Sequence, residues 1–206
     1  MTYQRKLIRR LLRTPQLQWL DIVARDLNQN VQFFSARLPF RFEVLPPDLL
    51  ELEKRLVDIP DVHKSDLKRR VAYGHICCIA EYEGQVIFTS WIATGRCYSY
   101  LLDREIELAN DEAYLYSAYT VPEYRGQGIH PSATTRRLQF LKEHGYSIAF
   151  AFIEPRNNAA QRMPVKLGYK KIGTTGFVEI AGVRWYFHRD GGHFSAIIRR
   201  NYWRKV

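Results

Sequence analysis

A chain of 206 residues, 46% hydrophobic and 25% charged, has the length and balance of one globular domain able to bury a substantial core. Its cysteines, an adjacent pair at Cys77 and Cys78 and a lone Cys97, exclude a disulfide framework and read as buried inert thiols; no apolar run approaches a membrane span, and the first residues lack a secretory leader, so a cytoplasmic protein is expected. The formal net charge of +10 fits an anionic ligand, and without a zinc finger, an RNP aromatic signature or a heptad-linked basic region, nucleic acid is not an expected partner.

Residues 3–13 set Arg5, Lys6, Arg9, Arg10 and Arg13 around Leu7, Ile8, Leu11 and Leu12, a basic amphipathic helix pattern that stops near Pro15. Its leucines read as packing on the core, with peripheral contact to an acidic lipid surface as the sharper alternative. Residues 16–27 carry a second stripe, Leu17, Leu20, Val23 or Ala24, and Leu27, also at helical spacing. Together these predict an N-terminal helical extension over 1–30, ahead of a main domain over 31–206.

Alternating Phe40, Phe42 and Val44 predict a first strand within 31–44. Pro46-Pro47 then precedes helices over 48–56 and 61–70. Residues 76–82, the Glu83-Gly84 turn and 85–94 give a hairpin signal, and 96–110 read as loop with an extended piece. Residues 113–120 are apolar without polar alternation, as in a strand covered on both faces. The turn Arg125-Gly126-Gln127-Gly128-Ile129-His130 follows, then a helix opened by Pro131 and closed by Gly145. Free N–H groups at such a helix start, with the macrodipole behind them, make an anion site, most naturally for phosphate. Residues 147–154 form another short apolar strand. Strands over 177–180 and 183–188 are joined by Ala181-Gly182, and the basic C-terminal segment has no evident place. The whole predicts an α/β fold, a mixed twisted sheet with helices on both faces.

The glycine pattern lacks the third Gly of a dinucleotide fingerprint and the Gly-Lys-Ser/Thr ending of a triphosphate loop. V-P-E-Y-R-G-Q-G-I instead resembles the acetyl-CoA-binding motif of the GNAT N-acetyltransferase superfamily, Q/R-x-x-G-x-G/A, with Arg125 and Gly128 on its first two positions and His130 where Gly or Ala is usual. A second block, 155–173, is similar to the family's Asn-x-Ala-Ala…Lys-Leu-Gly-Phe segment at Asn157, Ala159, Ala160, Lys166, Leu167, Gly168 and Tyr169. The resemblance spans roughly residues 40–190. It implies a GNAT-like sheet and transfer of an acyl group, acetyl above all, from acetyl-CoA to a primary amine by direct attack, with no metal.

The resemblance also implies the site. Tyr119, Thr120 and Val121 would present backbone N–H groups to the thioester and the developing oxyanion. Arg125, Gly126, Gln127, Gly128, Ile129 and His130 would hold the diphosphate, and Asn157 would reach the pantetheine amides or cap its helix. The leaving thiolate meets Pro164 where the family commonly has a Tyr. Candidate catalytic residues are Glu112, the nearest carboxylate, and Tyr116, on the strand that often carries the family's base. The segment between the first two strands, with its helices over 48–56 and 61–70, would choose the acceptor, a small-molecule or envelope-linked amine such as an amino sugar. The alternative of a different class is a sensor or scaffold that binds acyl-CoA without turnover.

Overall fold

The computed structural model describes residues 15–60, 62–181 and 183–190. Ten strands are present among them: β1 (Gln16–Asp26), β2 (Arg41–Leu45), β3 (Ile76–Tyr82), β4 (Gln85–Ala93), β5 (Arg96–Ser99), β6 (Arg104–Glu107), β7 (Glu112–Thr120), β8 (Ile148–Ile153), β9 (Lys170–Ile180) and β10 (Val183–Asp190). The helices are α1 (Leu49–Arg55), α2 (Lys64–Ala72), α3 (Ile129–Glu143) and α4 (Asn158–Lys166). Eight strands form one sheet in the order β10-β9-β1-β8-β7-β4-β3-β2, and β5 and β6 pair separately. Within the large sheet β7 and β8 run parallel and the other neighbours antiparallel.

Local chemistry accounts for several boundaries. The Asp48 carboxylate accepts from Leu50 N and Glu51 N at 2.9 and 3.1 Å and so starts α1. Glu83 and Gly84 both take positive φ, 50° and 79°, between partners Tyr82 and Gln85, the pattern that matches a tight turn to strand twist. The expected hairpin is therefore present, and the loop over 96–110 gains a small hairpin of its own. Cys97, Leu102 and Ile106 dock that hairpin on Leu20, Tyr114 and Phe150.

Side chains alternate cleanly across the sheet. Cys77, Ile79 and Trp91 face α1 and α2, burying Leu52, Leu56 and Leu67. Cys78, Ile92, Ala113 and Leu115 face α3, against Leu138 and Leu141. All three cysteines are free and buried, and burial pushes the Cys78 and Cys97 thiols up to about 12. Among the described residues no helix is long and apolar enough to cross a membrane.

One expectation is overturned. Residues 16–26 are not a helix of an N-terminal extension over 1–30; they form β1, inside the sheet between β9 and β8. Leu20, Ile22 and Ala24 enter the core on one face, while Val23 points to the other. A strand covered on both faces needs no polar alternation, so Leu17, Leu20, Val23 and Leu27 fall at helical spacing by default. The basic amphipathic pattern of residues 3–13 and the C-terminal segment from 191 lie outside the described residues.

Candidate active site

The site begins where two strands part. β7 and β8 are in register only from Glu112 with Ile148 to Tyr114 with Phe150. Beyond that, β7 stays with β4 to Thr120 and β8 stays with β1 to Ile153. A bulge in β7 sharpens the divergence: Trp91 pairs with Tyr116 and Thr89 with Tyr119, so β7 carries an extra residue, and Ser117 sits at φ 48°. The Arg70 guanidinium donates to the Ser117 hydroxyl at 3.2 Å and holds that corner.

The wedge between the strands is a cavity of about 220 Å³. Leu115, Tyr116, Ser117 and Ala118 line it from β7, and Ala151, Phe152 and Ile153 from β8. His130, Thr134 and Arg137 close it from α3; Ala160 and Pro164 from α4; Leu167, Tyr169 and Val23 complete the wall. Its lining is mostly apolar, and His130, in the first turn of α3, borders it.

The glycine turn leads into that first turn of α3. Gly126 and Gly128 take φ 78° and 76°, the left-handed region that glycine enters without penalty. Gly128 caps α3, whose first turn holds no acidic side chain. Pro131 sits at the third helical position, so the helix begins two residues earlier than its proline suggests. Among the described residues none of the N–H groups from Gly126 to His130 has a hydrogen-bond partner. Together with the helix dipole they form a cradle for an anion. Arg125 is exposed at its rim, with Nε donating to Thr120 O at 3.0 Å. His130 lines the cavity beside Phe88, ring centroids 5.5 Å apart, and burial lowers it to about 4, so it is a neutral imidazole.

Of the backbone donors expected for the thioester, Val121 is committed: its N–H donates to Ile87 O at 3.0 Å. Hydrogen-bonded pairs alternate along an antiparallel ladder, so with Val121 bonded toward β4 the Thr120 amide plane turns its edge to the cleft side. Ser117 and Ala118, at the bulged corner, are the part of β7 beyond Tyr116 that lines the wedge.

Tyr116 lies on β7. It stacks on Tyr114 at 5.2 Å with planes 10° apart, lines the cavity, and its hydroxyl lies 2.6 Å from His75 Nδ1. His75 Nε2 lies 3.3 Å from Arg96 O. A carbonyl only accepts, so Nε2 carries the proton and Nδ1 accepts from the tyrosine O–H. His75 is buried at 3% exposure, and desolvation, reinforced by the nearby Arg70 charge, lowers it to about 4. Burial also raises the Tyr116 hydroxyl well above its ordinary range, while Arg70 opposes. The pair is a neutral phenol hydrogen-bonded to a neutral imidazole. His75 carries no sequence signal: it stands alone between a helix and a strand.

Glu112 stands apart from the cavity. It starts β7 at the closed end of the ladder, four residues from Tyr116 and hence about 13 Å along the strand. It is buried, with Oε2 accepting from Ala109 N at 2.9 Å, and does not line the cavity. Asn157 is exposed and its Oδ1 accepts from Ala160 N at 3.0 Å, a cap for α4. Pro164 is buried in the cavity wall inside α4 and has no proton to give. Among the described residues no group of His, Cys, Asp or Glu is disposed to hold a metal.

The model of the Acetyltransferase (GNAT) family matches residues 39–169. No curated protein matches the sequence. A solved GCN5-related N-acetyltransferase from Kribbella flavida superposes with a TM-score of 0.53 at 16% identity, over 89% of this chain and 63% of that one. A GCN5-related glucosamine N-acetyltransferase region of a fungal multi-domain GH3 beta-N-acetylglucosaminidase gives 0.54 at 15%, over 84% and 21%. An acetyltransferase of the GNAT family from Novosphingobium aromaticivorans gives 0.50 at 13%, over 79% and 65%. The chain thus spans less than two thirds of the length of each of these structures, and at such identities the likeness is one of fold.

Proposed function

The chain belongs to the GNAT acetyltransferase family, and from that premise we propose that it transfers an acyl group, acetyl in the first instance, from acyl-CoA to a primary amine by direct attack. The observation that carries this reading is the continuity of the unpartnered amides at Gly126 to His130 with a cavity that ends at the bulge in β7. The residues fit the donor: a cradle for a diphosphate at the mouth, a narrow apolar slot for pantetheine, and free backbone at the tip. Bound there, acyl-CoA supplies the activated carbonyl.

The chain's own groups do the rest. The amides from Gly126 to His130 bind the diphosphate, and Arg125 adds charge at the rim. Backbone at Ser117, Ala118 and Thr120 faces the carbonyl and its developing negative charge. Tyr116 receives the proton shed by the attacking nitrogen as its own O–H proton passes to His75 Nδ1, with Arg96 O stabilising the imidazolium through Nε2–H. With Pro164 at the slot wall, the sulfur departs as thiolate and takes its proton from solvent. Acceptor amines approach Tyr116 from the face covered by α1 and α2. An amino sugar or envelope-linked amine remains our proposal for the acceptor class, and the cytoplasm for the compartment.

The second reading, an acyl-CoA-binding module without turnover, is favoured by one observation, the proline at the slot wall. Thiol release from acetyl-CoA across a panel of amines separates the two. Amine-stimulated release supports transfer, whereas tight CoA binding that no amine converts into thiol release contradicts it.

A further inference from the structure

Among the described residues Arg137 is a cation with no anion. It lies on the buried stripe of α3 at 3% exposure, lines the cavity, and donates through Nη2 to Thr134 Oγ1 at 2.8 Å. Its Nε and Nη1 are buried and have no hydrogen-bond partner, and no carboxylate of the described residues forms an ion pair with it. Phe88 stands 5.9 Å from the guanidinium, a weak contact for a buried charge. A desolvated cation is costly unless an opposite charge and hydrogen bonds compensate it. The neighbouring Arg136 is exposed and needs none. Met, Leu or Gln would fill this helical position without that cost, so the guanidinium is a feature held for a ligand that brings the missing oxygens.

The ligand's chemistry follows from the place. Arg137 and Thr134 border the same cavity as Leu115 and Ser117, and Arg137 lies about 10 Å along α3 from His130. A terminal carboxylate on the acyl chain would bring such an anion into the cavity. A planar guanidinium with adjacent unpaired N–H groups suits a carboxylate. We propose that Arg137, with Thr134, forms a carboxylate receptor that gives the cleft a preference for acyl-CoA donors ending in a carboxylate, of the succinyl type, over neutral donors of equal length. This rests on the reading of the cavity as an acyl-CoA slot and names the donor class within it.

The test is calorimetric binding of CoA, acetyl-CoA, butyryl-CoA and succinyl-CoA to the full chain and to Arg137→Met and Arg137→Lys, with melting temperatures of each free protein. The expected result is succinyl-CoA binding roughly 10- to 100-fold tighter than butyryl-CoA, the range for a hydrogen-bonded charge. Arg137→Met erases the preference, Arg137→Lys keeps part of it, and the free Met variant melts no lower than wild type, because an uncompensated buried charge has been removed. Equal affinity for succinyl- and butyryl-CoA, with CoA itself bound, overturns the carboxylate receptor and leaves the slot intact. A preference that survives in Arg137→Met also overturns it, as does a lower melting temperature with unchanged selectivity, the sign of a purely structural arginine. No binding of any thioester sinks both the receptor and the slot.

Discussion

Tyr116→Phe removes one oxygen and leaves the ring stacked on Tyr114. The lost O–H is the donor to His75 Nδ1 at 2.6 Å, and His75 is buried at 3% exposure, so no bulk water takes its place. An acceptor stripped of its donor in such a position costs about 1–3 kcal/mol. For a chain of this size each kcal/mol lowers Tm by roughly 2–4 °C, which puts the fall at roughly 2–12 °C. The effect on turnover is separate: losing a positioned proton acceptor costs about 10²–10⁴-fold in rate. The assay is kcat/KM for acetyl-CoA-dependent transfer between pH 7 and 9, in Tyr116→Phe, His75→Leu and the double variant, beside calorimetric melting. Because phenol and imidazole act as one relay, the double variant is expected to be no slower than the worse single one. Wild-type kcat/KM in Tyr116→Phe, or single losses that multiply in the double variant, would refute the relay.

The remaining predictions follow from burial and backbone geometry. Unfolded, His75 and His130 take up a proton near 6.5; folded, only near 4. Stability is therefore full above the unfolded value and drains as pH falls from 6.5 toward 4, by about 2 kcal/mol from His75 alone at pH 5; urea unfolding at pH 7 and pH 5 measures it, and His75→Leu removes its share of the difference while that of His130 remains. Gly126→Ala and Gly128→Ala each place a side chain at positive φ and lose about 1–2 kcal/mol, but only at position 128 does the new Cβ come within 3.3 Å of Ser35 O and 3.5 Å of Ala36 Cα. Melting is expected to show Gly128→Ala as the more damaging; equal losses would mean the segment at 35–36 yields freely. Glu112→Gln is expected to leave kcat/KM within about twofold, since the side chain lies about 13 Å along β7 from Tyr116; a large loss would place the carboxylate in the reaction after all.

Much of this architecture was legible in the chain itself, for identifiable reasons. β3, β4 and their turn announce themselves because Glu83-Gly84 is a two-residue left-handed link between alternating apolar runs. The glycine turn is legible because only glycine enters φ near 77° cheaply twice in three residues. β1 is misread because burial on both faces removes the polar alternation that distinguishes a strand from a helix. His75 and Arg70 are invisible to spacing arguments, as each acts through a partner remote in sequence: Tyr116 and Ser117. Arg137 did leave a trace. It falls between Ala133 and Leu141 on the four-residue spacing of the apolar stripe of α3, where a charge needs a reason. Glu112 shows the converse, since it is close in sequence to Tyr116 but starts β7 where that strand still pairs with β8, outside the cavity lining.

The central claim is that the turn from Arg125 to His130 grips a diphosphate and so aims a thioester at the divergence of β7 and β8. A crystal structure of the chain with CoA bound tests it directly. The account predicts diphosphate oxygens within about 3.2 Å of the amides from Gly126 to His130, and the sulfur in the wedge between Ser117 and Phe152. A diphosphate bound elsewhere, with those amides turned to solvent or to other side chains, would contradict it.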